Sequence, residues 1–132
     1  MATRIFTSDP KLLWSKQSTS AWLFHPITKG IPAAGVTEVR KRVITAFGNS
    51  GNCQLKLGYQ IANYDDEDAY GTAVAISAAW LSTNTTSFGS NWSDISSGLT
   101  QRLFRLGYLV LNGSGTVVET MYAESIIDVR VD

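Results

Sequence analysis

The chain has 132 residues, 44% hydrophobic and 17% charged, the size and composition of one globular domain that buries a core without staples. Eleven basic residues balance eleven acidic ones. That balance leaves no global field to recruit nucleic acid or an anionic membrane, and little repulsion between copies. One cysteine, Cys53, and one histidine, His25, exclude an internal disulfide, a Cys cluster and a multi-histidine metal site.

Alternation at period 2 recurs along the chain, and no helix-length segment has a 3.6 period. Residues 1–35 carry short strand candidates at 4–7, 11–14 and 20–24, broken by Pro10, Pro26, Pro32, Gly30 and Gly35. This third reads as edge strands plus an extended arm. Residues 36–132 form the sandwich core.

In the run 36–47, Val39, Val43 and Phe47 share a face with Thr37, Lys41 and Thr45, while Glu38, Arg40 and Arg42 point away. From 53 to 61, Cys53, Leu55, Leu57, Tyr59 and Ile61 alternate with Gln54, Lys56, Gly58 and Gln60, a strand with one buried and one wet face. The residues between, 48–52, read as a hairpin turn. A small-residue strand follows at 73–80, with Val74 and Ile76 on one face and Trp80 in the core. Residues 82–97 are a Ser/Thr/Asn-rich loop, with one helical turn capped by Ser93.

Both faces of the next strand, 101–112, are apolar, so it is expected at the centre of a sheet, covered on both sides. Asn112-Gly113-Ser114-Gly115 reads as a second hairpin turn. The last strand runs over 116–131. Val117, Met121, Ala123, Ile127, Val129 and Val131 face in, Glu119, Glu124, Asp128 and Arg130 face out, and a bulge is expected midway. Short strands separated by frequent turns favour an all-β antiparallel sandwich, jelly-roll-like.

Catalytic chemistry is sparse. A Ser-His-Asp triad would need His25, which precedes Pro26 and has no Gly-x-Ser-x-Gly elbow to serve. Cys53 falls in register with Leu55 and Leu57 and reads as a small core residue. With no phosphate-cradling glycine loop, only paired carboxylates remain, and the acids lie mostly outward or in one loop. The expectation is no enzyme and no cofactor.

Two charge clusters and the tryptophans could carry binding. Asp65, Asp66, Glu67 and Asp68 form the densest acidic cluster. It reads as a solvated loop, since it lacks EF-hand spacing for Ca²⁺. As a second reading, it docks on the basic run Arg40, Lys41 and Arg42 of a neighbouring copy. That run lacks the aromatic interleaving of a nucleic-acid site. Trp92, in a polar loop, is either a lid on the core or an exposed ring that, with Tyr64 and Tyr70, stacks on sugars. Trp14 and Trp22 flank the arm and are expected to anchor it. Together Trp14, Trp22, Arg40, Lys41, Arg42, Asp65, Asp66, Glu67, Asp68 and Trp92 form the candidate interaction surface.

No apolar run of signal-peptide or membrane-spanning length is present. Synthesis in a cytosol is expected, with no membrane partner. The sequons at Asn84, Asn91 and Asn112 then read as chance products of Ser/Thr-rich loops.

From Lys56 onward the order is a strand, the Asn63-Tyr64-Asp65-Asp66-Glu67-Asp68 loop, Gly71-Thr72 and a Ser/Thr loop. Asn91-Trp92-Ser93-Asp94-Ile95, Phe104-Arg105-Leu106-Gly107-Tyr108, the Asn112–Gly115 turn and a long final strand follow. This layout resembles the jelly-roll sandwiches of bacteriophage structural proteins, including capsid decoration (cement) proteins. It is also similar to sugar-binding sandwiches of the galactose-binding type. The first resemblance implies a homo-oligomeric virion protein, made in the host cytoplasm, that stabilises the shell by contact with a major capsid or other virion protein. The second implies a carbohydrate-binding module. Neither assigns a binding residue.

Overall fold

The computed structural model describes residues 3–17, 22–48, 53–76, 81–82, 84–112 and 119–132. In chain order the strands are β1 (Arg4–Thr7), β2 (Lys11–Gln17), β3 (Trp22–Pro26), β4 (Ile31–Pro32), β5 (Val36–Gly48) and β6 (Cys53–Ala62). There follow β7 (Val74–Ala75), β8 (Leu81–Ser82), β9 (Thr85–Phe88), β10 (Ser93–Asp94), β11 (Leu103–Asn112) and β12 (Glu119–Val131). Two 3₁₀ turns, Glu67–Ala69 and Ser96–Gly98, lie in the loops.

The strands form two antiparallel sheets. In sheet A the long strands β12 and β5 lie side by side, with β1 and β2 along the far side of β12 and β9 and β10 along the far side of β5. In sheet B, β11 and β6 are central, flanked by β3 and β4 on one side and β7 and β8 on the other. Each outer position is thus one strand broken into two pieces. Joining the four broken edges turns the twelve described strands into eight, ordered 1-8-3-6 and 2-7-4-5. This is the jelly roll.

Proline explains two of the breaks, and hydroxyls repair them. Pro10 follows β1 and Pro26 ends β3, and neither can donate to a ladder. Past β1, the Ser8 amide donates to the Ile127 carbonyl at 2.8 Å, and Ser8 Oγ accepts from the Ile127 amide at 2.9 Å. Past β3, Thr28 Oγ1 accepts from the Leu106 amide at 2.8 Å. The central strands therefore keep their amides satisfied where the edge strand stops.

The core is the space between the sheets. Val39, Ile127 and Val129 come to it from sheet A and Leu55, Phe104, Leu106, Tyr108 and Val110 from sheet B. β6 and β11 bury the faces that alternation predicts, and β11 is covered on both sides, since Arg105 and Leu109 on its outer face are buried as well. Gly107 lets β3 close against β11, because a Cβ there would run into the His25 carbonyl. Gly35, at φ +79°, makes the turn into β5.

Several expectations are corrected. The strands on either side of residues 48–52 do not form a hairpin, because β5 belongs to sheet A and β6 to sheet B. The strands around 112–115 likewise divide between sheets, β11 in B and β12 in A. The connecting residues 49–52 and 113–118, and with them Val117, lie outside the described residues. Turn-forming residues bend the chain but do not specify the partner. The sheets pack about 10 Å apart, a gap that a few residues span.

The inward set of β5 is also revised. Val39 is buried, but beyond it Ile44 and Ala46 face in and Phe47 is exposed. Between Ile126 and Ile127 of β12 the partner on β5 jumps from Val43 to Lys41, which leaves Arg42 as an extra residue. That bulge inverts the phase of the strand from that point. The bulge expected in the long C-terminal strand is present in its pairing, with the extra residue on β5.

The strand at 73–80 is shorter than expected, with β7 only two residues long and Val74 exposed; Trp80 lies outside the described residues. The loop at 82–97 instead holds β9 and β10, both paired with β5. Its helical turn starts at Ser96, where Asp94 and not Ser93 accepts from the Ser96 amide at 2.8 Å and hydroxyl at 2.7 Å. The Ser96 hydroxyl and amide hold the Asp94 carboxyl below its ordinary range.

Candidate functional site

The outer face of sheet A divides into a charged half and an apolar half. The charged half is built on Asp128, which alternation places outward and which is nonetheless only 1% exposed. It does face out, but it is sealed from water by the side chains that lie over it. Thr7 Oγ1 donates to its Oδ1 at 2.6 Å, and Arg40 donates to its Oδ2 through Nε at 3.0 Å and Nη2 at 2.6 Å. Arg42 Nε lies 3.7 Å from the same oxygen. Burial pushes this carboxyl up; the Thr7 hydroxyl and the two guanidiniums together outweigh burial and hold it below its ordinary value.

Next to it, Arg130 donates to Glu38 at 2.7 Å. The guanidinium carbons of Arg40 and Arg130 lie 4.5 and 4.3 Å from the centre of the Trp92 ring, within cation–π range. Trp92 precedes β10, so this stack fastens the edge of sheet A onto its centre.

The apolar half follows from the bulge at Arg42, which turns the aliphatic and aromatic residues beyond it to the outside. Ile126, Val43 and Phe88 stand in register across β12, β5 and β9, and Tyr122 is paired with Phe47. Phe88 is 77% exposed, Phe47 45% and Tyr122 41%. Between the two apolar rows lie Glu124, Thr45 and Thr86, with the threonine hydroxyls 3.1 Å apart.

The acidic loop closes over the outer face of sheet B. Arg105 Nη1 and Nη2 donate to the two carboxylate oxygens of Glu67 at 2.7 and 2.9 Å, and its Nε donates to Gln60 Oε1 at 2.9 Å. The Tyr70 ring lies 3.9 Å from the Arg105 guanidinium carbon, and the Tyr70 hydroxyl donates to Asp65 at 2.8 Å. Burial, helped by the Asp65 carboxylate, pushes the Tyr70 hydroxyl up to about 12. The Arg105 hydrogen bond holds Glu67 below its usual range. Asp66 accepts from the Asp68 amide at 3.0 Å and starts the 3₁₀ turn. Three of the four acids thus shape their own loop while staying exposed to water. Among the described residues no three His, Cys, Asp or Glu side chains converge on a point that could hold a metal.

The candidate surface is therefore split. Arg40, Arg42 and Trp92 meet on the outer face of sheet A. Asp65, Asp66, Glu67 and Asp68 lie on the opposite side of the sandwich. Lys41 donates to Ser87 Oγ at 2.9 Å. Trp14 stands opposite Tyr122 on β2, and Trp22 opposite Leu111 on β3; their side chains lie outside the described ones, as does that of Cys53.

Asp128, Arg105, Glu38 and Arg130 were not singled out from the sequence. Asp128 had one available signal, an acid inside the apolar run Ile126-Ile127-Asp128-Val129. Its partner Arg40 is 88 positions away, and no local spacing connects them. His25 is half-buried with no hydrogen-bond partner for Nε2 among the described residues, and burial lowers its pKa. A cavity of about 330 Å³ lies at the β5/β9 and β6/β8 edge, lined by Ile44, Leu55, Leu57, Ile76 and Leu81 together with Lys41 and Lys56.

No family model matches the sequence, and no curated protein does. Solved structures do share the fold. In the infectious bursal disease virus VP2 subviral particle, VP2 is 15% identical over 98% of this chain, with a TM-score of 0.61. A mutant VP2 protein of that virus in derived T=1 particles gives 16%, 98% and 0.62, and a structure of the Gx strain of the virus gives 15%, 98% and 0.62. The chain spans about a third of the length of these proteins, 33%, 32% and 32% respectively. At such identities the likeness is one of fold; it agrees with the jelly-roll part of the resemblance and does not extend to its bacteriophage part.

Proposed function

We propose that this chain is a non-enzymatic structural component of a virus particle, acting through protein–protein contacts. The observation that carries this reading is the fold likeness to proteins of virus particles, which extends over 98% of the chain. The pairing of three arginines within the chain supports it. Arg40, Arg105 and Arg130 are each hydrogen-bonded to a carboxylate of the same chain, and the apolar half of sheet A is left facing solvent. Exposed apolar area of that kind marks an assembly surface rather than a catalytic one.

Within this reading, the chain decorates or cements a bacteriophage capsid as a homo-oligomer and resides in the virion. The carbohydrate-binding alternative has less to stand on. The Trp92 ring is half-buried against two guanidiniums and the Tyr70 ring lies against Arg105, so of the three loop aromatics Tyr64 alone is exposed.

The test is co-sedimentation. Purified chain is mixed with particles of the source virus that lack it, and bound chain is quantified after gradient centrifugation. Saturable binding at a fixed ratio to the major shell protein is expected, with a rise in the particle's disruption temperature. A chain that stays at the top of the gradient overturns the reading.

A further inference from the structure

Sheet A leaves an apolar face open beside its charged half. On sheet B the acidic loop lies across the outer face, clamped by Arg105. On sheet A, Phe88, Phe47 and Tyr122 stand out from the outer face, with Val43 and Ile126 between them half-buried. Three exposed aromatic rings on one face of the sheet are an unpaired surface.

The charges around this face indicate what covers it. Glu124 is exposed and makes no ion pair among the described residues. It lies two residues from Ile126 along β12. Two residues beyond Ile126 on the other side is Asp128, sealed from solvent beneath Arg40 and Arg42. That position therefore presents the Arg42 guanidinium, whose side chain is 55% exposed. An acid and a base thus flank the Ile126–Val43–Phe88 row at equal distances, about 7 Å each at strand rise.

A two-fold axis lying in the face along this row superposes each flank on the opposite flank of a second copy. Glu124 of one copy then falls on Arg42 of the other, twice, and the rows meet along their length. An axis parallel to the strands would instead set Glu124 against the threonine row. We infer that the outer face of sheet A is an isologous contact between two copies of this chain, centred on the Ile126–Val43–Phe88 row and closed by reciprocal Glu124–Arg42 pairs. The zero net charge imposes no opposing repulsion, and a self-complementary patch is what a two-fold interface requires. The inference rests on the assembly reading in taking a second copy as the occupant.

The experiment is sedimentation of the purified full chain over a concentration series, with circular dichroism as the check on folding. Wild type is expected to be dimeric. Phe88→Asp, at a position already in water, is expected to keep the fold and weaken dimerisation by about tenfold or more. Glu124→Arg and Arg42→Glu are each expected to give monomers, and their mixture a heterodimer, because both reciprocal pairs are then attractive again. Should Arg42→Glu fail to fold beside Asp128, Phe88→Asp and Glu124→Arg decide the matter. A wild-type monomer, or a dimer indifferent to Phe88→Asp and Glu124→Arg, overturns the inference. The particle-binding assay is read separately, so a monomer that still loads onto particles leaves the assembly reading standing.

Discussion

A carboxylate taken out of water is tolerated only where hydrogen bonds and opposite charge replace its hydration. Asp128 meets that condition through Thr7, Arg40 and Arg42, which tie β1 and β5 to β12 at one point. Its depressed pKa sets the sign of a pH effect. The stabilisation is fully present above the ordinary carboxylate value of 3.8 and is lost as pH falls through the lower folded value. Asp128→Asn is expected to cost about 2 kcal/mol at neutral pH and to give a shallower loss of stability below the ordinary carboxylate range. Urea unfolding at a series of pH values measures both. An acid limb identical to that of wild type would show that Asp128 is not the group responsible.

At the scale of elements, irregularities rather than regular strands position the surface features. One extra residue at Arg42 turns Val43 and Phe47 outward and Ile44 and Ala46 inward. Without the bulge, a strictly alternating β5 would send Phe47 to the core. One guanidinium, that of Arg105, reaches Glu67, Gln60 and the Tyr70 ring together at the acidic loop. Glu67→Gln breaks the bidentate pair and leaves a buried Arg105 without its counter-charge. The expected cost is about 1 kcal/mol, discounted because Glu67 itself is exposed to screening water. Opening of the loop is the more sensitive readout. Limited proteolysis is expected to cut faster within 63–71 in the variant than in wild type, with the rest of the chain unaffected. An unchanged cleavage rate would mean that Tyr70 and Gln60 suffice to hold the loop.

The whole molecule is a jelly roll in which neighbours in sequence mostly lie in opposite sheets. The longest ladders described, β12 with β5 and β11 with β6, join segments that lie far apart in the chain. Such topology places loop-closure entropy ahead of the contacts that repay it. Refolding is therefore expected on the millisecond-to-second scale, in stopped-flow tryptophan fluorescence, rather than in microseconds. Microsecond refolding would contradict the long-range pairing of the sheets.

By itself the sequence determined the all-β class, the buried faces of β6 and β11, most of the buried face of β12 and the poverty of catalytic groups. Those properties are local: the period of alternation, the positions of Pro and Gly, and a count of His and Cys. Tertiary structure alone decided which strands are neighbours, why Asp128 is buried, how Glu67 comes to serve Arg105, and which face of sheet A is apolar. Each of these depends on residues brought together across dozens of positions or on a one-residue change of register. A turn or an alternating pattern carries no record of the partner strand. That is why the basic run at 40–42 and the acidic loop at 65–68 stand on opposite sides of the folded molecule.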